Sequence, residues 1–334
     1  MHFGRNCMSS LSRRSWLLVA AASAAVLGAA PALAQTWPAR NITWIVPFPA
    51  GGGTDAFARP LAAQLEQQLG QRIILENRAG AGGTVGAAAA AKAAPDGYTF
   101  FVGAAHHTIA PALYPRLDYN IEKDFIPVAV IAQPPQVIVA HPEKVQAKTL
   151  KELIDFATKN PDKLNYASAG NGTTHHLAGE LFKLSSKSSL THVPYRGAGP
   201  AMQDLLAGQV DLMFDGLGTS APQIQGGRLR GLAVAAAERS PAIPDVPTAK
   251  EAGLEGYEVS TWYALWAPKG TPAEVVTKMR AEVAKALQSP MIDAAWQKSG
   301  SPIPTLSGDE FGKFVSSEVA RWGKVVSEAK VKLD

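Results

Sequence analysis

"IVPFPAGGGTDAFARPLAAQL", residues 45–65, runs from an apolar, strand-like segment through three glycines, a threonine and an aspartate into a helical pattern. Leu61, Leu65 and Leu69 recur at a spacing of four, which predicts one apolar helix stripe ending at Gly70. Pro60 lies early in this helix and predicts a distorted first turn. A strand that feeds a Gly-rich turn at a helix start places free backbone N–H groups where an anion can bind.

The strand, Gly-rich turn and helix pattern recurs along the chain, in residues 163–182, 190–208 and 210–224. This alternation predicts α/β layers with mainly parallel sheets, whose ligands bind beyond the carboxyl ends of the strands. The aromatic stretch "YEVSTWYALWAPKG", residues 257–270, predicts a long strand that passes between two domains. Capping boxes are predicted at Thr149, at Thr271 and at Ser307, each with a glutamate three residues on.

The first 34 residues have the pattern of a secretory signal. Three arginines precede the apolar run "WLLVAAASAAVLGAA", which ends in small residues before Gln35. We expect cleavage after Ala34, with export by either the Sec or the twin-arginine route, and therefore a periplasmic protein. Cys7, the single cysteine, lies in the removed segment, so the mature chain contains no disulfide.

The charge of the mature chain argues against two classes of partner. Removal of the signal leaves 29 basic and 28 acidic residues, a net charge of +1. This balance offers no basic surface for nucleic acid or for an anionic membrane. The remaining length is sufficient for two domains, and we expect a monomer.

Motifs for cofactors, metals and catalysis do not match. "GAGGTVGA" has no acidic residue after a following strand, as a dinucleotide site requires, and "PAGGGTD" lacks the lysine of a phosphate loop. The adjacent pairs His106–His107 and His175–His176 are not expected to aim both rings at one metal. "YASAG" lacks the spacing of a nucleophile elbow. We therefore expect no cofactor, no metal and no catalytic residue.

Two of the turns share one design that suits a small carboxylate. In "FPAGGGTD" and "SAGNGTTHH" a threonine, Thr54 or Thr173, follows the glycines where a helix begins, and neither turn contains Lys or Arg. Neutral donors at two helix starts predict an anion site made of backbone and hydroxyl groups. His176, on the helix side of its loop, is also open to a purely structural role.

Five segments together resemble a known family: "PFPAGGGTD", "ENRAGAGG…AAPDGYTF", "YASAGNGTTHHLAGELF", "VPYRGAGPAMQDLLAGQVDLMFD" and "SPAIPDVPTAKEAG". They are similar to the Bug-type extracytoplasmic solute receptors, the binding components of tripartite tricarboxylate transporters. The resemblance implies a type II periplasmic-binding fold of two α/β domains that close on a small carboxylate. The implied division is residues 35–137 plus 261–334 for the first domain and 138–260 for the second.

The resemblance also implies the ligand contacts. On the first domain they fall on Phe48, Ala50, Gly53, Thr54 and Asp55. On the second they fall on Ser168, Gly170, Gly172, Thr173 and His176, with Gly197 and Asp215 near the distal end of the ligand. The chain departs from the family pattern at Ala79, where proline is usual, and at His106, which occupies a pocket position that is small or hydroxylated in relatives.

Several functional alternatives stay open at this point. The binding protein would capture a small organic acid or amino acid for membrane permease subunits, or it would be a sensor that passes the liganded state to a signalling partner. An enzyme acting on such an acid is the third alternative. Asp215 favours an amino or hydroxy acid, whereas a charged His106 would favour a dicarboxylate. Of these we expect a monoacid with a polar or aromatic tail.

Overall fold

The computed structural model describes residues 37–329, and the predicted signal segment with Cys7 and the cleavage point after Ala34 lies outside them. Alternating apolar runs and helical patterns form two separate five-stranded sheets with helices packed on their faces, so the predicted α/β class is confirmed. Within residues 37–329, no helix combines the length and the apolar composition needed to cross a membrane.

The first sheet is formed by residues from both ends of the described chain. Its strands are β1 (Ile42–Val46), β2 (Ile73–Asn77), β3 (Thr99–Ala104), β4 (Phe125–Ala132) and β10 (Tyr263–Pro268). Their order across the sheet is β2-β1-β3-β10-β4.

The second sheet repeats this arrangement with the middle of the chain. Its strands are β5 (Gln136–Ala140), β6 (Asn165–Ser168), β7 (Thr191–Pro194), β8 (Leu212–Gly216) and β9 (Arg230–Val234). Their order across the sheet is β7-β6-β8-β5-β9.

Helices follow most strands and cover the sheets. They are α1 (Gly53–Leu69), α2 (Thr84–Ala91), α3 (His106–Leu113), α4 (Leu150–Lys159), α5 (Thr174–Ser186), α6 (Ala198–Leu206), α7 (Leu217–Gln225), α8 (Ala273–Leu287), α9 (Pro290–Lys298) and α10 (Gly308–Ala329). The longest, α10, buries Phe311, Val315, Trp322 and Val326 on the apolar face that the sequence predicts.

The expectation of mainly parallel sheets was wrong for half of the strand pairs. β1 is parallel to β2 and β3, and β6 is parallel to β7 and β8. However, β10 is antiparallel to both of its neighbours, and so is β5. These two strands enter their sheets directly from the other sheet, so no right-handed βαβ connection imposes a parallel direction on them.

Two crossing segments connect the sheets and run side by side. Gln136 donates its backbone N–H to Val259 (2.9 Å), and Thr261 donates to Pro134 (3.2 Å). The predicted crossing strand is therefore shorter than expected, because regular pairing in the first sheet begins only at Tyr263. The division into two domains at residues 137/138 and 260/261 stays a prediction.

Local signals at helix ends had mixed outcomes. The α1 helix ends at Leu69, with Gly70 in the left-handed conformation, as predicted. The distorted first turn was wrong, since the helix begins seven residues before Pro60 and continues through it. Thr149 caps α4 as predicted, whereas the Thr271 hydroxyl donates to the Pro268 carbonyl (2.8 Å) and caps nothing.

Candidate functional site

A small cavity lies where loops at the carboxyl ends of strands from both sheets meet. Its volume is about 20 Å³, room for about one water molecule. It is lined by Phe48, Gly52, Gly53, Thr54, Ala104, His106, Ala169, Thr173, Thr174, His175, Ala198, Thr261 and Tyr263. No lysine or arginine is among these lining residues, so the polar groups that face the cavity are hydroxyls, imidazoles and backbone amides.

Three helix N-termini meet at this cavity. Gly53, Thr174 and Ala198 are the first residues of α1, α5 and α6, and all three line it. The first N–H groups of a helix have no partner inside the helix and carry partial positive charge. The site therefore combines positive electrostatic potential with an absence of cationic lysine or arginine in its lining.

The first glycine loop is held in shape by Asp55. The Asp55 carboxylate accepts a hydrogen bond from the Gly51 N–H (3.0 Å) and forms an ion pair with Arg59 (2.7 Å). Asn77 donates to the Phe48 carbonyl (2.7 Å) and so ties the loop to β2. Asp55 does not line the cavity, and its oxygens contact Gly51, Arg59 and Asn77.

Thr54 carries a hydroxyl that forms no hydrogen bond within the described part of the chain. It is 3 % exposed and lines the cavity, and its side chain makes no hydrogen bond to another residue between 37 and 329. The backbone next to it approaches Tyr263 closely. A Cβ at Gly53 would lie 2.0 Å from the Tyr263 hydroxyl oxygen, so only glycine fits there.

The second glycine loop is organised by its own side chains. The Thr173 hydroxyl donates to the Gly170 carbonyl (2.7 Å) and accepts from the His176 N–H (3.5 Å), which caps α5. Ser168 bonds the His192 ring (2.6 Å), and the Gly172 N–H donates to His176 Nδ1 (3.2 Å). Ser168 and His176 therefore shape the loop and do not face the cavity.

His176 is stacked on His192 away from the cavity. The ring centroids are 4.2 Å apart and the planes differ by 15°. Burial, together with the nearby His176, lowers the pKa of His192 to about 3. This stacking agrees with the structural role left open for His176, and its contact with the ligand stays a prediction.

The rings of His106 and His107 contact each other. Their Nε2 atoms are 3.1 Å apart at the start of α3. Burial, reinforced by His107 and His175, holds the pKa of His106 well below its usual value, and burial lowers that of His107 to about 4. Both rings are therefore neutral near pH 7, which contradicts the prediction that His106 is partly charged below about pH 6.5.

Asp215 lies behind the cavity and does not line it. Its carboxylate accepts hydrogen bonds from the hydroxyls of Thr219 and Ser220 and contacts His175 Nε2 (3.0 Å). It is 1 % exposed. His175, which contacts Asp215, lines the cavity in its place. The contact between Asp215 and the ligand stays a prediction.

The loops of the two sheets are in direct contact around the cavity. A Cβ at Gly199 would lie 2.7 Å from the Ala50 carbonyl oxygen, and one at Gly197 would lie 2.7 Å from Pro49. On the other side, the Tyr114 hydroxyl donates to the carbonyls of Ala81 (3.0 Å) and Asn171 (3.3 Å). The structure is therefore a closed arrangement of the two halves.

The sequence prediction identified part of the cavity lining. The predicted residues that line it are Phe48, Gly53, Thr54, His106 and Thr173. Those that lie behind it or in the surrounding loops are Ala50, Asp55, Ser168, Gly170, Gly172, His176, Gly197 and Asp215. The lining residues that the prediction missed are Gly52, Ala104, Ala169, Thr174, His175, Ala198, Thr261 and Tyr263.

Some of the missed residues carried a local signal. Thr174 and His175 directly follow Thr173 in the first turn of α5, where side chains next to a capping residue share the helix end. Thr261 and Tyr263 lie on the second crossing segment, and no motif marks them. Within residues 37–329, no group of three or more His, Cys, Asp or Glu side chains is placed to hold a metal ion.

Two α/β halves with facing helix N-termini at a shared cavity define a solute-binding protein of the periplasmic receptor type. The chain belongs to the tripartite tricarboxylate transporter family of receptors, whose sequence profile matches residues 57–331. The protein BugT of Bordetella pertussis is 38% identical over 307 residues, covering 91% of this chain and 94% of BugT. The Bug-type resemblance is thereby confirmed.

Solved structures show the same fold at similar identity. The periplasmic binding protein BugD is 36% identical with a TM-score of 0.85, covering 89% of this chain and 99% of BugD. Rpa4515 of R. palustris with adipate is 37% identical with a TM-score of 0.85, covering 89% and 99% of the two chains. MatC of Rhodopseudomonas palustris with bound malate is 39% identical with a TM-score of 0.82, covering 87% and 100%.

Proposed function

We propose that this protein captures a small organic carboxylate between its two halves and delivers it to the membrane subunits of a tripartite tricarboxylate-type transporter. The observation that carries the proposal is the meeting of three helix N-termini at one cavity whose lining contains no lysine or arginine. The solved relatives described with adipate and malate support a carboxylate as the ligand class.

The carboxylate would be held by neutral donors. Free N–H groups at the starts of α1, α5 and α6 and the unused Thr54 hydroxyl supply hydrogen bonds from both sheets. Helix N-termini favour anions by about 0.3–1 kcal/mol each when exposed and by more when partly buried. A carboxylate that binds donors from both halves stabilises their closed arrangement. A membrane partner can distinguish this closed arrangement from the open one.

Ligand binding and release require the halves to separate. Sites for small molecules usually enclose about 300–1,000 Å³, far more than the cavity of about 20 Å³ in the closed arrangement. The sheets are connected by two short segments, residues 133–135 and 260–262. These segments would serve as the hinge. The domain division at residues 35–137 plus 261–334 and 138–260 is proposed on this basis.

A thermal-shift screen of the mature protein tests the proposal. The panel would contain mono- and dicarboxylic acids, hydroxy acids, amino acids and aromatic acids, each with its amide as an uncharged control. A ligand present at a hundred times its Kd adds about 2.7 kcal/mol to the free energy of unfolding. Stabilisation by an acid and not by its amide supports the proposal, and a panel without a single stabilising acid refutes it.

Delivery, location and assembly have their own tests. Mass spectrometry of the periplasmic fraction should find a chain beginning at Gln35. Affinity capture from membranes should recover two membrane proteins in a ligand-dependent way, whereas recovery of a signalling protein would favour the sensor alternative.

Light scattering should show a monomer. Prolonged incubation should leave the bound acid chemically unchanged, as expected of a receptor that is not an enzyme.

A further inference from the structure

The loop before α2 meets the second glycine loop beside the cavity. A Cβ at Gly82 would lie 3.0 Å from the Asn171 carbonyl oxygen, and one at Gly170 would lie 3.8 Å from Gly82 Cα. Gly82 belongs to the half that contains the first sheet, and the other two residues belong to the second half. Backbone therefore approaches backbone across the two halves, and we call this contact of Gly82 with Gly170 and Asn171 the seam.

The inner side of the seam adjoins the cavity. A Cβ at Gly83, the residue after Gly82, would lie 2.9 Å from His106 Nε2, and His106 lines the cavity. Ala169, the residue before Gly170, also lines it. The seam is therefore part of the wall that encloses the cavity in the closed arrangement.

The outer side of the seam faces a second pocket, at the protein surface. All three seam residues line this outer pocket, whose volume is about 300 Å³. Its lining also includes three exposed residues, Ala81, Pro194 and Arg196. A small molecule that passes between the cavity and the outer pocket must therefore part the seam.

Tyr114 joins the two halves at the seam. Its hydroxyl donates to the Ala81 carbonyl (3.0 Å) of the first half and to the Asn171 carbonyl (3.3 Å) of the second. Burial raises the pKa of Tyr114, so the hydroxyl keeps its proton and stays a donor at neutral pH. The bond to Asn171 connects the halves only while they are in contact, so it stabilises the closed arrangement and not the open one.

The loop that Tyr114 holds has an unfavourable backbone conformation. Gly80, Ala81, Gly82 and Gly83 have φ angles of 146°, 44°, 61° and 91°. A positive φ is sterically unfavourable for Ala81, which carries a Cβ. Such a conformation persists where surrounding contacts hold it. The bond from Tyr114 to the Ala81 carbonyl is a contact of this kind, so its loss should let the loop move away from the seam.

Building on the proposed capture of a carboxylate, we propose that the seam is the exit of the cavity and that Tyr114 is the positioning residue that holds it shut. Tyr114 does not line the cavity, so it acts on a bound molecule through the contact between the halves. Release requires the halves to separate, which breaks the bond to Asn171. Capture begins from the open arrangement, in which this bond is already absent. Tyr114 therefore determines how long the ligand is retained and not how fast it arrives.

Surface plasmon resonance on the immobilised mature protein measures the association and dissociation rate constants. The probes are malate, adipate and the acid with the largest thermal shift. Tyr114→Phe keeps the ring and removes the hydroxyl, so it should raise the dissociation rate constant about two- to tenfold, the effect of one lost hydrogen bond. The association rate constant should stay within about twofold of wild type, because the ligand enters the open arrangement.

Tyr195→Phe is the matched control. Tyr195 lines the same outer pocket, but its hydroxyl donates to Asp204 (2.7 Å) of its own half. This variant loses a tyrosine hydrogen bond without changing a contact between the halves, so both rate constants should equal those of wild type. Urea denaturation without ligand completes the comparison, since a purely structural role of Tyr114 would lower stability and leave the dissociation rate constant unchanged.

Gly82→Ala disturbs the seam independently of Tyr114→Phe. Its Cβ would lie 2.7 Å from the Tyr114 hydroxyl oxygen and 3.0 Å from the Asn171 carbonyl oxygen. This variant should also raise the dissociation rate constant, and it decides the inference if Tyr114→Phe does not fold.

Failure of this inference is distinguishable from failure of the proposed function. If an acid binds but its dissociation rate constant is unchanged in Tyr114→Phe, or is raised equally in Tyr195→Phe, the receptor function stands and the role of Tyr114 is overturned. A change confined to the association rate constant overturns that role as well. If no acid of the thermal-shift panel binds the wild-type protein, both are overturned.

Discussion

Thr54 and Thr173 both follow the glycines of a loop, but the structure predicts opposite consequences when each is changed to valine. Thr173 is the N-cap of α5, whereas Thr54 is the second residue of α1. The Thr173 hydroxyl donates to the Gly170 carbonyl and accepts from the His176 N–H, so it is already committed to the loop. Thr54 is a buried residue that lines the cavity, and its hydroxyl makes no hydrogen bond to another described residue. We therefore expect Thr173→Val to change mainly stability and Thr54→Val to change mainly affinity.

The magnitudes follow from these contacts. Loss of an N-cap hydroxyl costs about 0.5–2 kcal/mol, so Thr173→Val should lower the free energy of unfolding by about 1 kcal/mol. Thr54→Val removes no internal hydrogen bond and preserves shape, so its stability should change by less than about 0.5 kcal/mol. A hydrogen bond to a carboxylate is worth about 1.5–3 kcal/mol, so affinity should fall roughly 10- to 150-fold.

Urea denaturation and calorimetry together measure both quantities. The ligand is the acid that gives the largest thermal shift, and both variants are titrated under conditions in which the denaturation curve shows them folded. Unchanged affinity in Thr54→Val would refute the role of the first loop as a carboxylate donor. A stability loss in Thr54→Val equal to that in Thr173→Val would show that its hydroxyl has a structural partner.

Three further predictions follow from the closed arrangement and the buried histidines. Gly199→Ala should hold the loops apart and weaken ligand binding, because its Cβ would lie 2.7 Å from the Ala50 oxygen; Gly323→Ala, where a Cβ contacts nothing within 4 Å, should bind normally in the same titration. Small-angle scattering should give a smaller radius of gyration with ligand, and equal radii at saturation would contradict a hinge motion. His107 stays neutral in the folded protein down to a pKa of about 4 but is protonated below 6.5 when unfolded, so stability should fall as pH decreases through this window, by about 2 kcal/mol at pH 5. His107→Gln should flatten this dependence in denaturation curves, and an unchanged slope would show that other groups cause it.

The sequence predicted the elements around the site well, since their signals are local. The apolar stripe of α1, its end at Gly70 and the cap at Thr149 depend on residues within one or two turns of each other. The predicted cap at Thr271 was wrong, because its hydroxyl donates to a carbonyl in the preceding turn and does not cap the helix. The predicted strand direction was wrong for β5 and β10, because these strands are oriented by the passage of the chain between sheets.

The sequence by itself determined the α/β class, the position of the two glycine loops and the family, because each depends on residue types at short spacing. Only the tertiary structure decided which side chain of each loop faces the cavity. The choice of His175 over His176 depends on Asp215, 40 residues further along the chain, and on His192, against which His176 stacks. The cavity closes where Thr174 meets Thr261, 87 residues apart. Such contacts are set by how the two sheets are placed relative to each other, and no short-range pattern encodes that placement.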